Sequence, residues 1–267
     1  MIYKTLLILI FSFGLNASEN KAPSGDGWTD TKTTINWMLK ASYMQFTVQN
    51  NIYYGAVGAA ASWYSFEHDD RIAALTQSKE IKNIVDHVGD AGVFFNFPFA
   101  AMGAWYYGKK SGNTHLMQFM MEYASAMYLT LAESGLFSYI QIHKRPSPHN
   151  ISFWEKEFRG DSSWPSGHIV PYSALFFKTL QFYGPGWAMI PLGLTVMSGL
   201  QRMQDGKHYL SDIVGAFFLS ALASEGVRKV AGYHNNHKFY KRWLEHDVKL
   251  GMLRYKKAYG PLISFSY

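Results

Sequence analysis

The chain has 267 residues and a formal net charge of +6, with 48% apolar, 17% aromatic and only 16% charged residues. This length suits one domain of medium size or two small ones. The low charged fraction predicts a large buried surface, either in a helical core or partly against lipid. Because the sequence has no cysteine, it excludes disulfides, thiolate chemistry and cysteine metal sites.

Residues 1–17 are predicted to be a signal peptide. Lys4 provides the positive start, residues 6–15 the short apolar core, and Ala17 a cleavage position. The apolar run is too short to span a bilayer comfortably, although an uncleaved anchor is the alternative. The sequence therefore predicts an exported protein, compatible with a bacterial periplasm, with membrane association left open. Residues 18–29 are polar and predict a flexible N-terminus.

A helical domain is predicted over residues 30–230. The fold class is all-α, a helical bundle, since strand-like alternation is rare and apolar residues recur at helical spacing. Asp30 is a preferred residue type for a helix N-cap. The predicted helices cover residues 30–50, 71–88, 91–108, 114–142, 166–183, 187–203 and 208–230.

Two uncharged windows, residues 91–108 and 179–201, are long enough to cross a bilayer. Both contain prolines and polar residues, which favours a largely soluble bundle. Lipid-embedded helices are the alternative.

The C-terminal tail, residues 231–267, is predicted to be basic and aromatic. From Arg228 to the end, the chain has nine basic residues and two acidic ones, so the positive charge belongs to this end. A solvated amphipathic helix is the simpler interpretation, and contact with an anionic membrane surface is the other. Nucleic acid is not an expected partner of an exported protein.

His208 and Asp212 are four residues apart, which places them on one face of a helix. A carboxylate that accepts one ring N–H fixes the tautomer and leaves the other nitrogen with its lone pair, as a nucleophilic imidazole requires. Arg202 precedes a turn and could bind a phosphate with two hydrogen bonds. In isolation, this spacing also fits an ordinary surface pair on a helix.

The segment from Pro165 to His168 is typical of a loop that enters a helix. Ser166 is a preferred N-cap residue, and the amides at a helix start bind anions. Gly167 allows a ligand to approach the backbone, and His168 would lie beside a bound anion. A capped helix with an incidental histidine is the alternative.

A third short segment joins Lys144 and Arg145 in a loop, with Pro146 to stiffen the turn. Most such pairs of cations are only solvated. This segment therefore indicates a phosphate site only in combination with the other two segments.

Together, the three segments resemble the signature of the type 2 phosphatidic acid phosphatase family. That family shares its site with vanadium-dependent haloperoxidases and class A acid phosphatases. Its pattern is Lys-x6-Arg-Pro, then Pro-Ser-Gly-His, then Ser-Arg-x5-His-x3-Asp. The matching residues here are Arg145, Pro146, Pro165, Ser166, Gly167, His168, Arg202, His208 and Asp212.

Two positions depart from the family pattern. Ser138 stands where the family has its phosphate-binding lysine, and Gln201 replaces the serine before Arg202. Lys144 and His143 are the nearby candidates to replace the missing cation. The departure puts substrate affinity in doubt more than the type of reaction.

The resemblance implies a metal-independent hydrolase with its active site between helices and no cofactor. It implies that His208 attacks phosphorus, Asp212 orients His208, and His168 protonates the leaving oxygen. It further implies that the substrate phosphate is bound by Arg145, Arg202, Ser166 and Gly167. Since the two histidines need opposite protonation states, a bell-shaped pH profile is expected.

Four functions stay open within this resemblance. The first is a phosphatase for lipid phosphates or diphosphates, favoured by the predicted export and the aromatic tail. The second is a broad soluble acid phosphatase for small phosphoesters. The third is a vanadate-binding haloperoxidase, against which the serine at position 138 counts. The fourth is a non-catalytic relative that binds anions or lipids.

Other polar residues are not predicted to be catalytic. The spacing of the remaining histidines, among them His87 near Asp90, fits no zinc pattern, so no metal site is predicted. Glu122 and Glu133 lie inside an apolar helix and are interpreted as structural carboxylates with polar partners.

Overall fold

The computed structural model describes residues 22–78, 83–140, 144–147, 162–232, 234–245, 247–255 and 258–266. The predicted signal peptide and His143 lie outside these ranges. The described part is mainly helical. In chain order, its helices are α1 (Gly27–Met44), α2 (Asn50–Gln77), α3 (Asn83–Phe95), α4 (Phe99–Ser111), α5 (Thr114–Phe137), α6 (Val170–Tyr183), α7 (Pro185–Gln204), α8 (Leu210–Ala231) and the short α9 (Lys238–Trp243).

Helix α8 is the centre of the bundle, and it packs against α1, α2, α5 and α6. Ala216, Ala221, Ala223 and Val227 on this helix are fully buried. Such small side chains let the neighbouring helices approach closely around one core. The prediction of an all-α bundle is therefore confirmed.

One helix among the described residues, Leu210–Ala231, has the length and apolar composition needed to cross a membrane. Of its most apolar window, 61% is buried inside the bundle. Its apolar character thus matches its position at the centre of the protein.

The two windows proposed as possible spans are each divided in the structure. Residues 91–108 contain the end of α3 and the start of α4, separated by a bend at residues 96–98. Residues 179–201 contain the end of α6 and most of α7, with Gly184 between them at a φ of 83°. Neither window forms one continuous helix.

The N-terminal half differs from the predicted helix boundaries. A single helix over residues 71–88 is wrong, because α2 ends at Gln77 and α3 begins at Asn83. The cap of α1 is also earlier than predicted. Asp26 accepts a hydrogen bond from the Thr29 amide at 2.8 Å, whereas Asp30 lies inside the first turn.

Both glutamates of α5 have polar partners, as the sequence analysis proposed. Glu122 forms a fully buried ion pair with Lys178 of α6 at 2.8 Å and accepts a hydrogen bond from Gln118 at 2.8 Å. Glu133 accepts a hydrogen bond from Gln45, and burial raises the pKa of Glu133 to about 7. These contacts fix α5 against α6 and against the 3₁₀ turn (Gln45–Thr47) that follows α1, because an unpaired buried charge is costly.

The C-terminal end is partly anchored to the bundle. Tyr240 of α9 is 1% exposed and donates a hydrogen bond to Glu225 of α8. After α9, strands β1 (Asp247–Tyr255) and β2 (Ala258–Ser266) form an antiparallel hairpin in which Asp247 pairs with Ser266. The sequence analysis missed this hairpin, since its simpler interpretation of the basic tail was a solvated amphipathic helix.

Candidate active site

His208 and Asp212 meet at the start of α8. His208 lies just before the helix and Asp212 lies in its first turn. The prediction that the two residues share one face of a helix is therefore wrong. Their side chains are nevertheless in contact, with 3.2 Å between His208 Nδ1 and Asp212 Oδ2, and both are fully buried. The Tyr209 amide donates to the same carboxylate oxygen at 2.8 Å, which caps the helix.

The contacts of Asp212 determine which ring nitrogen of His208 carries the hydrogen. Its other oxygen, Oδ1, accepts a hydrogen bond from Ser163 Oγ at 3.3 Å. An ionised carboxylate only accepts hydrogen bonds, so the hydrogen of neutral His208 lies on Nδ1. Nε2 then carries the lone pair, which is the form that a nucleophilic imidazole needs.

The segment from Pro165 to His168 is fixed beside this pair. The Ser166 amide donates to the main-chain oxygen of Asp212 at 3.1 Å, so this amide already has a protein partner. The ring centroids of His168 and His208 are 5.7 Å apart. Ser166 is fully buried, while Gly167 and His168 are half-buried and start a 3₁₀ turn before α6. Two of the three signature segments are therefore brought together.

Helix α3 lies close to this segment because it has glycine at position 92. A Cβ on Gly92 would lie 2.9 Å from the main-chain oxygen of His168, which is too close for any other residue without a shift. On the same helix, Val88 accepts a hydrogen bond from Tyr172 at 2.9 Å. Burial raises the pKa of Tyr172. Helix α3 is therefore one wall of the site, a role that the sequence analysis did not predict.

Arg202 lies at the end of α7 and is 3% exposed. Its main-chain oxygen accepts hydrogen bonds from the amides of Lys207 and His208 at 3.0 and 3.2 Å, which closes the loop between the two signature residues. Gly206 makes this turn possible with a φ of 63°, a region that favours glycine. The predicted arginine and histidine are thus held in one compact turn.

Arg145 is attached to the same turn through its neighbours. The Ser147 amide donates to the main-chain oxygen of Gly206 at 3.0 Å, and Lys144 forms a backbone bridge with Ser162. Arg145 is half-buried between these two attachments. The first signature segment therefore joins the other two.

The missing family lysine leaves a buried serine. Ser138 is fully buried, and its hydroxyl donates to the main-chain oxygen of Gly135 at 2.7 Å. Lys144 is exposed, so its proposed role as the replacement cation remains a prediction.

Two carboxylates that the sequence analysis did not select support the site. Asp69 of α2 is buried and accepts a hydrogen bond from the Ser211 amide at 3.0 Å, and it also accepts one from the Ser211 hydroxyl at 2.5 Å. It holds the start of α8 in place, next to Asp212. Burial raises the pKa of Tyr209, with a further contribution from Asp70, Asp69 and Asp212.

The second carboxylate is Asp90 of α3, which contacts Arg202 with 3.1 Å between Oδ1 and Nη2. The Asp90 side chain is 72% exposed, whereas that of Arg202 is only 4% exposed. The sequence analysis placed Asp90 with His87 at the end of a helix and assigned it no role in the site. No local pattern links it to an arginine more than a hundred positions later.

Replacing Asp90 with asparagine is expected to lower the KM for a phosphate ester by about twofold to fivefold, with kcat nearly unchanged. The negative charge of Asp90 opposes anion binding at Arg202, and exposed ion pairs are worth only about 0–1 kcal/mol. Steady-state kinetics at low and high salt would measure this, and the effect should shrink at high salt. Asp86→Asn on the same helix is the control. A higher KM for Asp90→Asn would instead show that Asp90 positions Arg202 for binding.

A cavity of about 230 Å³ adjoins His168. Its walls come from α3, α5 and the 3₁₀ turn. They comprise Val93, Asn96, Leu131, Ser134, Gly135, Gly167 and His168. The position beside His168 makes this cavity a candidate space for a substrate group. Within the described residues, no cluster of three or more His, Asp or Glu side chains could hold a metal ion.

Residues 122–235 match the family model described as the PAP2 superfamily. This match contains all three signature segments, and the chain therefore carries a PAP2-superfamily domain. The resemblance to the type 2 phosphatidic acid phosphatase superfamily is confirmed. The match to this superfamily implies phosphatase-type activity on phosphate esters. Searches of curated proteins and of solved structures returned no match.

Proposed function

We propose that this protein is a metal-independent phosphatase that hydrolyses phosphate monoesters or diphosphates of lipids through a phosphohistidine at His208. The observation that carries this proposal is the buried contact between His208 and Asp212, 3.2 Å long, with the His168 ring 5.7 Å away. One histidine has an orienting carboxylate and the other borders a cavity. These are the positions that a nucleophile and a proton donor require.

In the proposed reaction, Nε2 of His208 attacks phosphorus and the bond from phosphorus to the leaving oxygen breaks. His168 gives its proton to that oxygen, which leaves as an alcohol or a phosphate. Water then attacks the phosphohistidine and releases inorganic phosphate, with His168 accepting the proton from the water. Asp212 stabilises the positive charge that His208 acquires.

Charge stabilisation is assigned to Arg145 and Arg202. Phosphoryl transfer depends mainly on positioning and on neutralising the charge of the equatorial oxygens. Two guanidinium groups can do both, since each binds oxygen with paired N–H groups. No step of the proposed reaction requires a metal ion. Ser166 and Gly167 complete the proposed phosphate site, and Lys144 is the weaker candidate.

A lipid substrate is supported by the surface next to the cavity. Phe94, Phe97, Phe99 and Met102 are 63%, 54%, 65% and 61% exposed, and we name these four residues the aromatic rim. Val93, which precedes Phe94 in the chain, lines the cavity and is 43% exposed, so the rim begins next to a cavity-lining residue. Large exposed apolar patches mark sites of contact with membranes, proteins or ligands.

Export to the bacterial periplasm and membrane-surface contact through the basic tail belong to the same proposal. A lipid phosphatase must reach its substrate at a membrane, and the tail has the positive charge to bind anionic headgroups. Association with the membrane surface is sufficient for this role, and nucleic acid is not a proposed partner.

The test is phosphate release by the purified protein in EDTA. The substrates are p-nitrophenyl phosphate, phosphatidate and an isoprenoid diphosphate, the lipids being supplied in mixed micelles. We expect EDTA-resistant activity with at least about tenfold higher kcat/KM for a long-chain lipid than for its short-chain analogue, because chain burial adds about 0.8 kcal/mol per methylene. The pH profile of kcat/KM should be bell-shaped between about pH 4 and about pH 9.

A variant of the aromatic rim separates the lipid and soluble roles. Phe97→Ser with Phe99→Ser should reduce the long-chain preference without changing p-nitrophenyl phosphate hydrolysis, whereas the equally exposed Trp28→Ser should change neither. Equal activity on soluble and lipid esters would favour the broad acid phosphatase. Release of no phosphate from any substrate would overturn the proposal and favour the non-catalytic relative or the haloperoxidase.

A further inference from the structure

We propose that the cavity beside His168 binds the leaving group of the substrate, and that Asn96 and Ser134 select a short polyol over a plain hydrocarbon. This inference rests on the proposed function, because the leaving group is the part of the substrate that His168 protonates. It adds the chemistry of the group next to the phosphate, which the proposed reaction itself does not specify.

The size of the cavity limits what it can hold. A volume of about 230 Å³ is below the range of roughly 300–1,000 Å³ usual for drug-sized ligands. Since one water takes about 30 Å³ in the liquid, the cavity fits a group of glycerol to hexose size. A long acyl or prenyl chain would have to continue outside, along the aromatic rim.

Two residues that line the cavity each have a buried polar atom for which the described residues provide no hydrogen-bond partner. Ser134 is 2% exposed, and its Oγ has no hydrogen-bond partner among the described residues; the same holds for Oδ1 of Asn96. Tyr128 donates to the main-chain oxygen of Asn96 at 2.9 Å and so fixes the bend that carries this side chain. Buried polar atoms are nearly always satisfied, which indicates that a ligand or water completes these two.

A hydroxyl group of the ligand would match both atoms. It can donate to Oδ1 of Asn96 while it accepts from the hydroxyl of Ser134. Val93 and Leu131 add apolar surface for the carbon atoms that carry such hydroxyls. A prenyl or alkyl leaving group would leave both polar atoms unpaired, and sites built for hydrogen bonding reject such analogues.

The first experiment compares glycerol 3-phosphate with propyl phosphate, which differ only in two hydroxyls. The native protein should favour glycerol 3-phosphate by about tenfold or more in kcat/KM, as one or two net hydrogen bonds provide. Ser134→Ala and Asn96→Leu should each reduce this ratio about threefold to tenfold. Thr130→Ala, one turn earlier on α5, should leave the ratio unchanged, because its hydroxyl donates to Ala126 within the helix.

The second experiment fills the cavity. A Cβ on Gly135 would meet no atom within 4 Å, and Gly135 lines the cavity, so Gly135→Leu is the variant chosen to place a side chain there. It should raise the KM for glycerol 3-phosphate about tenfold while leaving inhibition by inorganic phosphate unchanged, since inorganic phosphate has no leaving group. Gly103→Leu is the matched control, because Gly103 also has open space around it.

The possible outcomes distinguish a failure of the polyol subsite from a failure of the proposed phosphatase function. Equal rates on the two esters, in the native protein and in Ser134→Ala, would overturn the polyol subsite and leave the phosphatase intact. A loss of phosphate inhibition in Gly135→Leu would show that the cavity holds the phosphoryl group, which also overturns it. Release of phosphate from neither ester nor from p-nitrophenyl phosphate would overturn both proposals.

Discussion

Replacing His208 with alanine is expected to lower kcat by about 10⁵-fold or more, the scale seen when a catalytic nucleophile is removed from a serine protease. The reason is that Nε2 of His208 is the atom that forms the covalent bond to phosphorus in the proposed mechanism. The measurement is phosphate release in EDTA, combined with quenching of the native protein in alkaline denaturant during turnover of a substrate labelled in its phosphoryl group. The label should appear on His208 as an acid-labile, base-stable phosphohistidine.

The control for this variant is His234→Ala, which removes an exposed histidine outside the site and should keep full activity. Native circular dichroism of His208→Ala would show that the buried site tolerates the smaller side chain. Substantial activity in His208→Ala would assign the nucleophile to another residue. Loss of native activity in EDTA would contradict metal independence while leaving the histidine assignment to the labelling experiment.

Replacing Asp212 with asparagine is expected to lower kcat by about 10³ to 10⁴, as the equivalent change does in a serine protease triad. The asparagine amide can donate to Nδ1 of His208, which forces the hydrogen onto Nε2 and removes the lone pair that attacks phosphorus. The volume of the side chain hardly changes. Single-turnover kinetics with the native protein as reference would measure the loss in the chemical step.

Ser163→Ala serves as the matched variant for Asp212→Asn. It removes the 3.3 Å hydrogen bond to Asp212 Oδ1 but keeps the carboxylate, so kcat should fall less than about tenfold. A similar loss in both variants would show that the contacts of Asp212 act through the local fold rather than through the tautomer of His208. Thermal unfolding of the two proteins would test that interpretation directly.

The sequence by itself determined the candidate site residues. His168, Arg202, His208 and Asp212 lie in short segments whose internal spacing can be read without knowledge of the fold. The helices α5 and α6 also follow from sequence, since α5 has an N-cap at Asn113 and α6 ends at Gly184. Caps and spacing of this kind depend on neighbours within one or two helical turns.

Helix α2 and the hairpin show where such local patterns are insufficient. The buried face of α2 is formed by small or polar residues, including Gly58, Ser65 and Asp69, while Trp63 and Tyr64 are exposed. An apolar stripe therefore does not mark its core side, although the helix packs against α8. The hairpin depends on pairing between β1 and β2. The sequence analysis did not predict this pairing, because it interpreted the charged tail as a solvated helix.

Only the tertiary structure decided what surrounds the signature residues. Asp90 meets Arg202, and Asn96 and Ser134 meet at one cavity, because α3 and α5 pack beside the 3₁₀ turn of His168. These residues are far apart along the chain and belong to no common motif. The sequence thus determined which groups are the candidates for the chemistry, since that choice depends on residue type and short spacing. The fold determined the positioning contacts and the shape of the cavity, since both depend on close packing between distant helices.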